Sequence, residues 1–325
     1  MAISLKDVRV ERFAVDGHFT IARGAKTHVD VVVCEVTDGT HVGTGEGTPI
    51  YYEGETAELC ADAISMRMKQ NRPVSHEDLL HTMMEGAGRN ALDCALWDLE
   101  VKQSGKPLWQ LAGLPEPKPL VTAVTISLDE IPAMQAAAEE AVKRGFQLLK
   151  MKLSGEHDLD RVKAVRKGAP QARLIVDANE SWDEIDIEEA ANALHALGVE
   201  MIEQPVSAGE EELLLGLNSP IPFCADESCQ THEDLDRLEG AFQAINIKLD
   251  KAGGLTGALL LAEKARMRGL DLMVGCMLST SLGVRPAFAL AQKARWVDLD
   301  GPELLKKDRP GGFTFRDGMI LPPAG

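Results

Sequence analysis

The chain has 325 residues and a formal net charge of -17, from 34 Lys and Arg against 51 Asp and Glu. So acidic a surface repels phosphate backbones and anionic membranes, which argues against nucleic-acid or membrane-surface binding. No apolar run reaches the roughly 18 residues of a membrane span, and MAISLKDVRVERFAV alternates like a strand, with no signal-peptide core, so a cytoplasmic protein is expected.

The six cysteines (Cys34, Cys60, Cys94, Cys224, Cys229, Cys276) are scattered and form no CxxC pair, so reduced, buried thiols are expected. Residues 1–50 read as antiparallel strands, VRVERFAV, THVDVVVCEVTDG and HVGTGEGTP, with a hairpin turn at Asp38-Gly39. Residues 55–113 have helical periodicity, clearest in RNALDCALWDLEVKQ, where Ala91, Cys94, Ala95 and Trp97/Asp98 recur at helical spacing. Pro115, Pro117 and Pro119 interrupt both patterns, which sets an α+β capping domain over 1–114.

From 115 to 302 apolar strands alternate with helices: VTAVTISL, FQLLKMKL, RLIVDAN, VEMIEQP, IPFCADES, AINIKLD, LDLMVGCM and RWVDLDGP. With helices such as IPAMQAAAEEAVKRG and TGALLLAEKARMRG between them, they predict an α/β fold, a (β/α)7β TIM-like barrel. In the tail, 303–325, GGFTFRDGMILPP reads as a short hairpin outside the barrel, returning to the first domain.

Six of these strands end in charged residues: Lys150/Lys152, Asp177, Glu203, Asp226, Lys248 and Asp298/Asp300. The steps from Lys150 are 27 to Asp177, 26 to Glu203, 23 to Asp226 and 22 to Lys248, near one strand-helix unit. Side chains two apart on a strand share a face, so Lys150/Lys152, Asp177/Asn179, Lys248/Asp250 and Asp298/Asp300 are expected to project together into the barrel mouth. Singly, each has a bland explanation, a helix N-cap for an Asp and a solvated side chain for a Lys. Together, Asp177, Glu203 and Asp226 on successive strand ends would repel one another unless a cation lay between them. Oxygen ligands without His or Cys favour Mg²⁺ over zinc. Lys152 and Lys248 then flank the trio from strands two and six, placed for proton chemistry on both faces of one carbon, with Lys150 tuning Lys152 and an enediolate stabilised by the metal.

The segments LKMKL, VDANESW, IEQP, CADES, NIKLDKAGG and VDLDGP resemble the enolase superfamily, in its muconate-lactonizing-enzyme subgroup. FTIARG, GTGEGTP and GRNALDCALWDL extend the resemblance over nearly the whole chain, to the dipeptide epimerase branch, the L-Ala-D/L-Glu epimerases. The resemblance implies one Mg²⁺ per subunit on Asp177, Glu203 and Asp226, with Lys152 and Lys248 as acid/base residues supported by Lys150. It implies that Asp298 and Asp300 bind a substrate ammonium and that Arg23 receives the distal carboxylate of glutamate. Thr125 and Asp250 complete the expected substrate-binding set, Thr125 being preferred to Thr122 because the two face opposite ways on one strand. Arg89 reads as a structural ion-pair partner in the cap, while Tyr51, Tyr52 and Glu53 depart from the pattern, Glu53 adding negative charge near a site for glutamate.

The expected activity is epimerisation of the C-terminal residue of a dipeptide, suited to recycling cell-wall peptides, with no nucleic-acid or membrane partner and a homo-oligomer left open. Cycloisomerisation of a muconate or formation of an o-succinylbenzoate-like product would use the same machinery, but Asp298 and Asp300 disfavour a polyanionic substrate. A Schiff-base lyase would need one Lys as nucleophile. A non-catalytic peptide binder has no use for amines on both sides of a metal.

Overall fold

The computed structural model describes residues 3–21, 24–70 and 72–322. An antiparallel sheet opens the chain: β1 (Ser4–Ile21), β2 (Gly24–Thr37) and β3 (Val42–Gly47), in that order. The turn between β2 and β3 is fixed by Asp38 Oδ1, which accepts the backbone N–H of Thr40 and of His41 at 2.7 Å each. Four helices follow, α1 (Ala57–Lys69), α2 (His76–Thr82), α3 (Ala87–Ser104) and α4 (Leu108–Leu111). Thr56 and Ser75 cap α1 and α2, accepting the N–H of Leu59 and Asp78.

The run VVVC lacks strand alternation because both faces of β2 are covered. Val32, Cys34 and Val36 pack on the helices, while Val31 and Val33 meet Leu278 and Leu305 from the barrel side. The motif GTGEG is a packing device. A Cβ on Gly43, Gly45 or Gly47 would collide with the α3 backbone at Ala95, Ala91 or Ala87, so the sheet approaches a helix stripe of alanines four apart.

The barrel strands and helices are β4 (Leu120–Val121), β5 (Ala123–Ile126), α5 (Ile131–Lys143), β6 (Leu148–Lys152), α6 (Asp158–Gly168), β7 (Arg173–Asp177), α7 (Ile187–Ala196), β8 (Val199–Glu203), β9 (Phe223–Ala225), β10 (Ala244–Ile247), α8 (Leu249–Ala252), α9 (Leu255–Met267), β11 (Asp271–Gly275), α10 (Ser281–Ala291) and β12 (Trp296–Asp298). Strands β5 to β12 form one parallel eight-stranded sheet in sequence order, the expected barrel. Its last seam is bridged by side chains: Thr122 Oγ1 accepts Leu299 N–H (2.9 Å) and Asp300 Oδ2 accepts Thr125 N–H (2.8 Å). Two crossovers, after β8 and after β9, carry short 3-10 turns (Glu211–Leu214 and Asp234–Asp236) in place of a helix. Gly209, Gly216, Pro220 and Pro222 break the first, and the polar run QTHEDLDR leaves the second little apolar face.

One residue from each strand fills the barrel floor: Ala123, Leu148, Ile175, Met201, Cys224, Ala244, Met273 and Trp296, all fully buried. Beyond β12, Leu305 bridges Val15 and Lys306 donates its N–H to Ala14 O (2.9 Å), tying the long β1–β2 ribbon to the barrel. Arg309 then reaches buried Glu46 of β3 at 2.8 Å. The last hairpin, β13 (Thr314–Arg316) and β14 (Met319–Leu321), leaves the cap and pairs instead with β4 at the N-terminal end of β5. The six cysteines are free, and among the described residues no helix is long and apolar enough to cross a membrane.

Candidate active site

The site is the next layer above the floor. Two residues along from Ala123, Leu148, Ile175, Met201, Cys224, Ala244 and Trp296 stand Thr125, Lys150, Asp177, Glu203, Asp226, Asn246 and Asp298, so the two-residue period carries all of them inward at the C-terminal mouth. At the corresponding place on β11 is Gly275, where a Cβ would strike the Asn246 amide, which donates to Glu203 Oε1 at 2.8 Å. Gln204, held at φ +35, buries its amide and accepts the N–H of Asp226 (2.8 Å) and Ser228 (3.1 Å), locking the ends of β8 and β9 together.

Asp177, Glu203 and Asp226 are fully buried and each offers an oxygen within 4.8 Å of the others. Lysines surround them. Lys150 lies 2.7 Å from Glu203, 2.9 Å from Asp298 and 3.1 Å from Asp177, and Lys152 lies 2.6 Å from Asp177. Lys248 and Lys251 bracket Asp226, each at 2.6 Å, one on either oxygen.

Burial favours the neutral form of every group here, and the neighbours decide the outcome. At Glu203 burial is reinforced by the Asp177 charge, and its carboxyl is pushed up to about 8. At Asp177 burial is outweighed by Lys152 and Lys150, which bring it down to about 2. Lys248 and Lys251 overcome burial at Asp226 and hold it well below the carboxylate range. Burial of Lys150 is outweighed by Asp298, Glu203 and Asp177, and that of Lys248 by Asp226, so both ammonium groups are held well above the usual lysine range.

The triad fits a hard divalent cation. Glu203 Oε2 and Asp226 Oδ1 lie in ion-pair range of a lysine yet accept no aligned hydrogen bond, which leaves lone pairs available to a metal. Three carboxylate oxygens without nitrogen or sulfur donors are the ligand set of Mg²⁺ more than of zinc.

A pocket of about 210 Å³ opens above the triad. Lys150, Lys152, Lys248, Thr125, Asp298 and Asp300 all line it. Asp300 is pushed up to about 7 by burial and by Asp298, against the N–H it accepts from Thr125. Thr122, facing away, serves the barrel seam. Tyr51 and Tyr52 line the pocket, whereas exposed Glu53 accepts from Gln230 Nε2 at 2.7 Å and does not. Arg23 lies outside the described residues.

Two expectations need correction. Asp250 does not line the pocket: β10 ends at Ile247 and α8 begins at Leu249, so the two-residue period fails and Asp250 turns to the cap, where Oδ1 accepts Thr48 N–H (2.8 Å) and Asn90 Nδ2 (2.7 Å). Arg89 forms no ion pair among the described residues but donates to the carbonyls of Gly253 (3.1 Å), Ala252 (2.9 Å) and Met83 (2.9 Å), the first two capping α8.

Asp250 is a test case for stability. Burial pushes it up to about 7, so the unfolded chain ionises first as pH rises and stability falls between about pH 4 and pH 7. Asp250→Asn should therefore melt above wild type at pH 8, by about 1–2 kcal/mol, with the gap closing towards pH 4 and KM unmoved. Thermal melts at both pH values check this.

Sequence reasoning missed Lys26, Asn246 and Lys251. Asn246 was accessible from the period, standing two before Lys248 on β10. Lys251, fully buried and donating to Cys229 O at 2.9 Å, and Lys26, on the ribbon, gave no sequence signal.

A parallel barrel under an α+β cap, with acids and lysines converging at its mouth, is the architecture of the enolase superfamily. The chain belongs to its mandelate racemase / muconate lactonizing enzyme family: residues 6–113 match the N-terminal domain of that family and residues 133–325 the enolase C-terminal domain-like model. It is 43% identical over 298 residues to an N-acetyl-D-glutamate racemase of Pseudoalteromonas sp, covering 90% of this chain and 93% of that one. It is 40% identical over 303 residues to the L-Ala-D/L-Glu epimerase of Escherichia coli (strain K12), covering 93% and 94%. Among solved structures, the dipeptide epimerase from Enterococcus faecalis V583 complexed with Mg and L-Leu-L-Tyr superposes with a TM-score of 0.92 at 30% identity, covering 100% of this chain and 98% of that one. The protein is an isomerase of the racemase and epimerase kind.

Proposed function

We propose that the protein epimerises the C-terminal residue of a dipeptide, interconverting L-Ala-L-Glu and L-Ala-D-Glu. Lys152 removes the α-proton from one face and Lys248 returns one to the other, the roles reversing in the back reaction. Asp177, Glu203 and Asp226 would hold Mg²⁺, which when bound stabilises the negative charge that builds on the substrate carboxylate as the proton leaves. Lys150 ties Asp177, Glu203 and Asp298 together through its ammonium. Asp298 and Asp300 receive the substrate ammonium, Thr125 N–H fixing Asp300, and Arg23 receives the distal carboxylate.

The observation that carries this reading is that Lys152 and Lys248 line one pocket from β6 and β10, four strands apart, with the strands of the acidic triad between them. A second reading, an N-acyl glutamate in place of the dipeptide, draws on the same geometry: the Asp298 charge is already matched by Lys150 at 2.9 Å, which leaves less demand for an ammonium. Incubation in deuterium oxide with Ala-Glu, Ala-Leu, Ala-Lys, N-acetyl-glutamate and a muconate separates these, with mass spectrometry reading α-hydrogen exchange. Ala-Glu should exchange fastest. Exchange of N-acetyl-glutamate alone would establish the second reading, and borohydride trapping of a lysine adduct would overturn both.

A further inference from the structure

Lys26 stands near the tip of the β1–β2 ribbon, its backbone paired with Phe19, and it lines the pocket that holds Lys152, Lys248 and Asp300. Its ammonium lies 3.7 Å from the centroid of the Tyr51 ring, which covers one side of the charge. The other pocket lysines are all matched: Lys150 by Asp177, Glu203 and Asp298, Lys152 by Asp177, and Lys248 by Asp226. Lys26 has no carboxylate partner among the described residues, and burial alone, unopposed by any acid, pushes it down to about 8. In a chain of net charge -17, an unmatched cation kept inside a substrate pocket is a disfavoured arrangement that an anionic ligand group would relieve. Leu278 and Leu304 line the same pocket, and apolar walls strengthen such a pair.

We propose that Lys26 determines specificity by pairing with a carboxylate on the side chain of the residue being epimerised. The assignment rests on the reading above and deepens it: the ribbon reads the charge of that side chain, while β12 reads the other end of the substrate. Arg23 lies three residues earlier in the sequence, so the two cations are tested separately by leaving Arg23 intact.

Ala-Glu and Ala-Gln differ in charge and hardly in size. In Lys26→Met, KM for Ala-Glu should rise about 10- to 100-fold, as for loss of a charge-assisted hydrogen bond, with kcat little changed. Ala-Gln, read as substrate or as competitive inhibitor, should bind as it does to wild type, and Lys26→Arg should restore Ala-Glu. An equal change for both dipeptides, or no change for Ala-Glu, overturns the assignment. Wild type that exchanges neither dipeptide overturns the dipeptide reading and this inference with it. Wild type that exchanges Ala-Glu no faster than Lys26→Met removes the role of Lys26 alone.

Discussion

Lys152→Met and Lys248→Met should each lose epimerisation by about a thousandfold or more, yet keep hydrogen exchange with opposite epimers of the substrate. Each lysine serves one face of the reacting carbon, so a variant with one remaining amine can remove and return a proton on that face but cannot invert it. In deuterium oxide, one variant should therefore wash label into the L epimer without turnover and the other into the D epimer. Folding should survive both changes. Breaking a buried ion pair costs about 3–5 kcal/mol when it strands a charge, but Asp177 keeps Lys150 at 3.1 Å and Asp226 keeps Lys251 at 2.6 Å. Methionine retains much of the lysine stem, so the loss falls on the amine. Exchange of the same epimer by both variants, or inversion by either, would contradict a two-base site.

The site was legible in the sequence wherever regular strand geometry reaches it. Lys150, Asp177, Glu203, Asp226 and Asp298 each stand two residues beyond a floor residue, and a period of two is enough to place them on one face. The same rule failed one step past the strand end. At Asp250 the chain had already entered α8, and the side chain turned into the cap. The barrel topology was readable because its strands are short apolar runs separated by helical periods, whereas the two 3-10 crossovers were not, since a loop of suitable length satisfies the connection without a helix. Contacts between distant segments left no trace in local pattern. Glu53 turns to Gln230, 177 residues away, and Lys26 reaches the barrel mouth only because β1 and β2 run longer than their apolar cores suggest. The glycines of GTGEG were visible, but their purpose required the alanine stripe of α3 opposite them.

Removing triad carboxylates should separate metal binding from stability, because the three acids sit differently among the lysines. Without a metal, Glu203 is the strained member: burial and Asp177 push it up to about 8, so near neutral pH it favours the protonated form that glutamine imitates. Glu203→Gln should thus melt at or above wild type in chelator, and Asn246 can still donate to the amide oxygen. Asp226 is the opposite case, held ionised by Lys248 and Lys251, so Asp226→Asn leaves two buried ammonium groups facing a neutral amide and should cost about 3–5 kcal/mol. Wild type should gain about 2.7 kcal/mol from Mg²⁺ at a hundred times its Kd, and both variants should gain much less, since each replaces one of three anionic carboxylate ligands with a neutral amide. Both should fall about a thousandfold or more in exchange rate. Thermal melts with and without Mg²⁺, beside calorimetric titration of the metal, read the two effects independently. Equal stabilisation of Glu203→Gln and wild type by Mg²⁺ would mean that the ion binds elsewhere, and the lysines would then have to be explained as counter-charges to the acids alone.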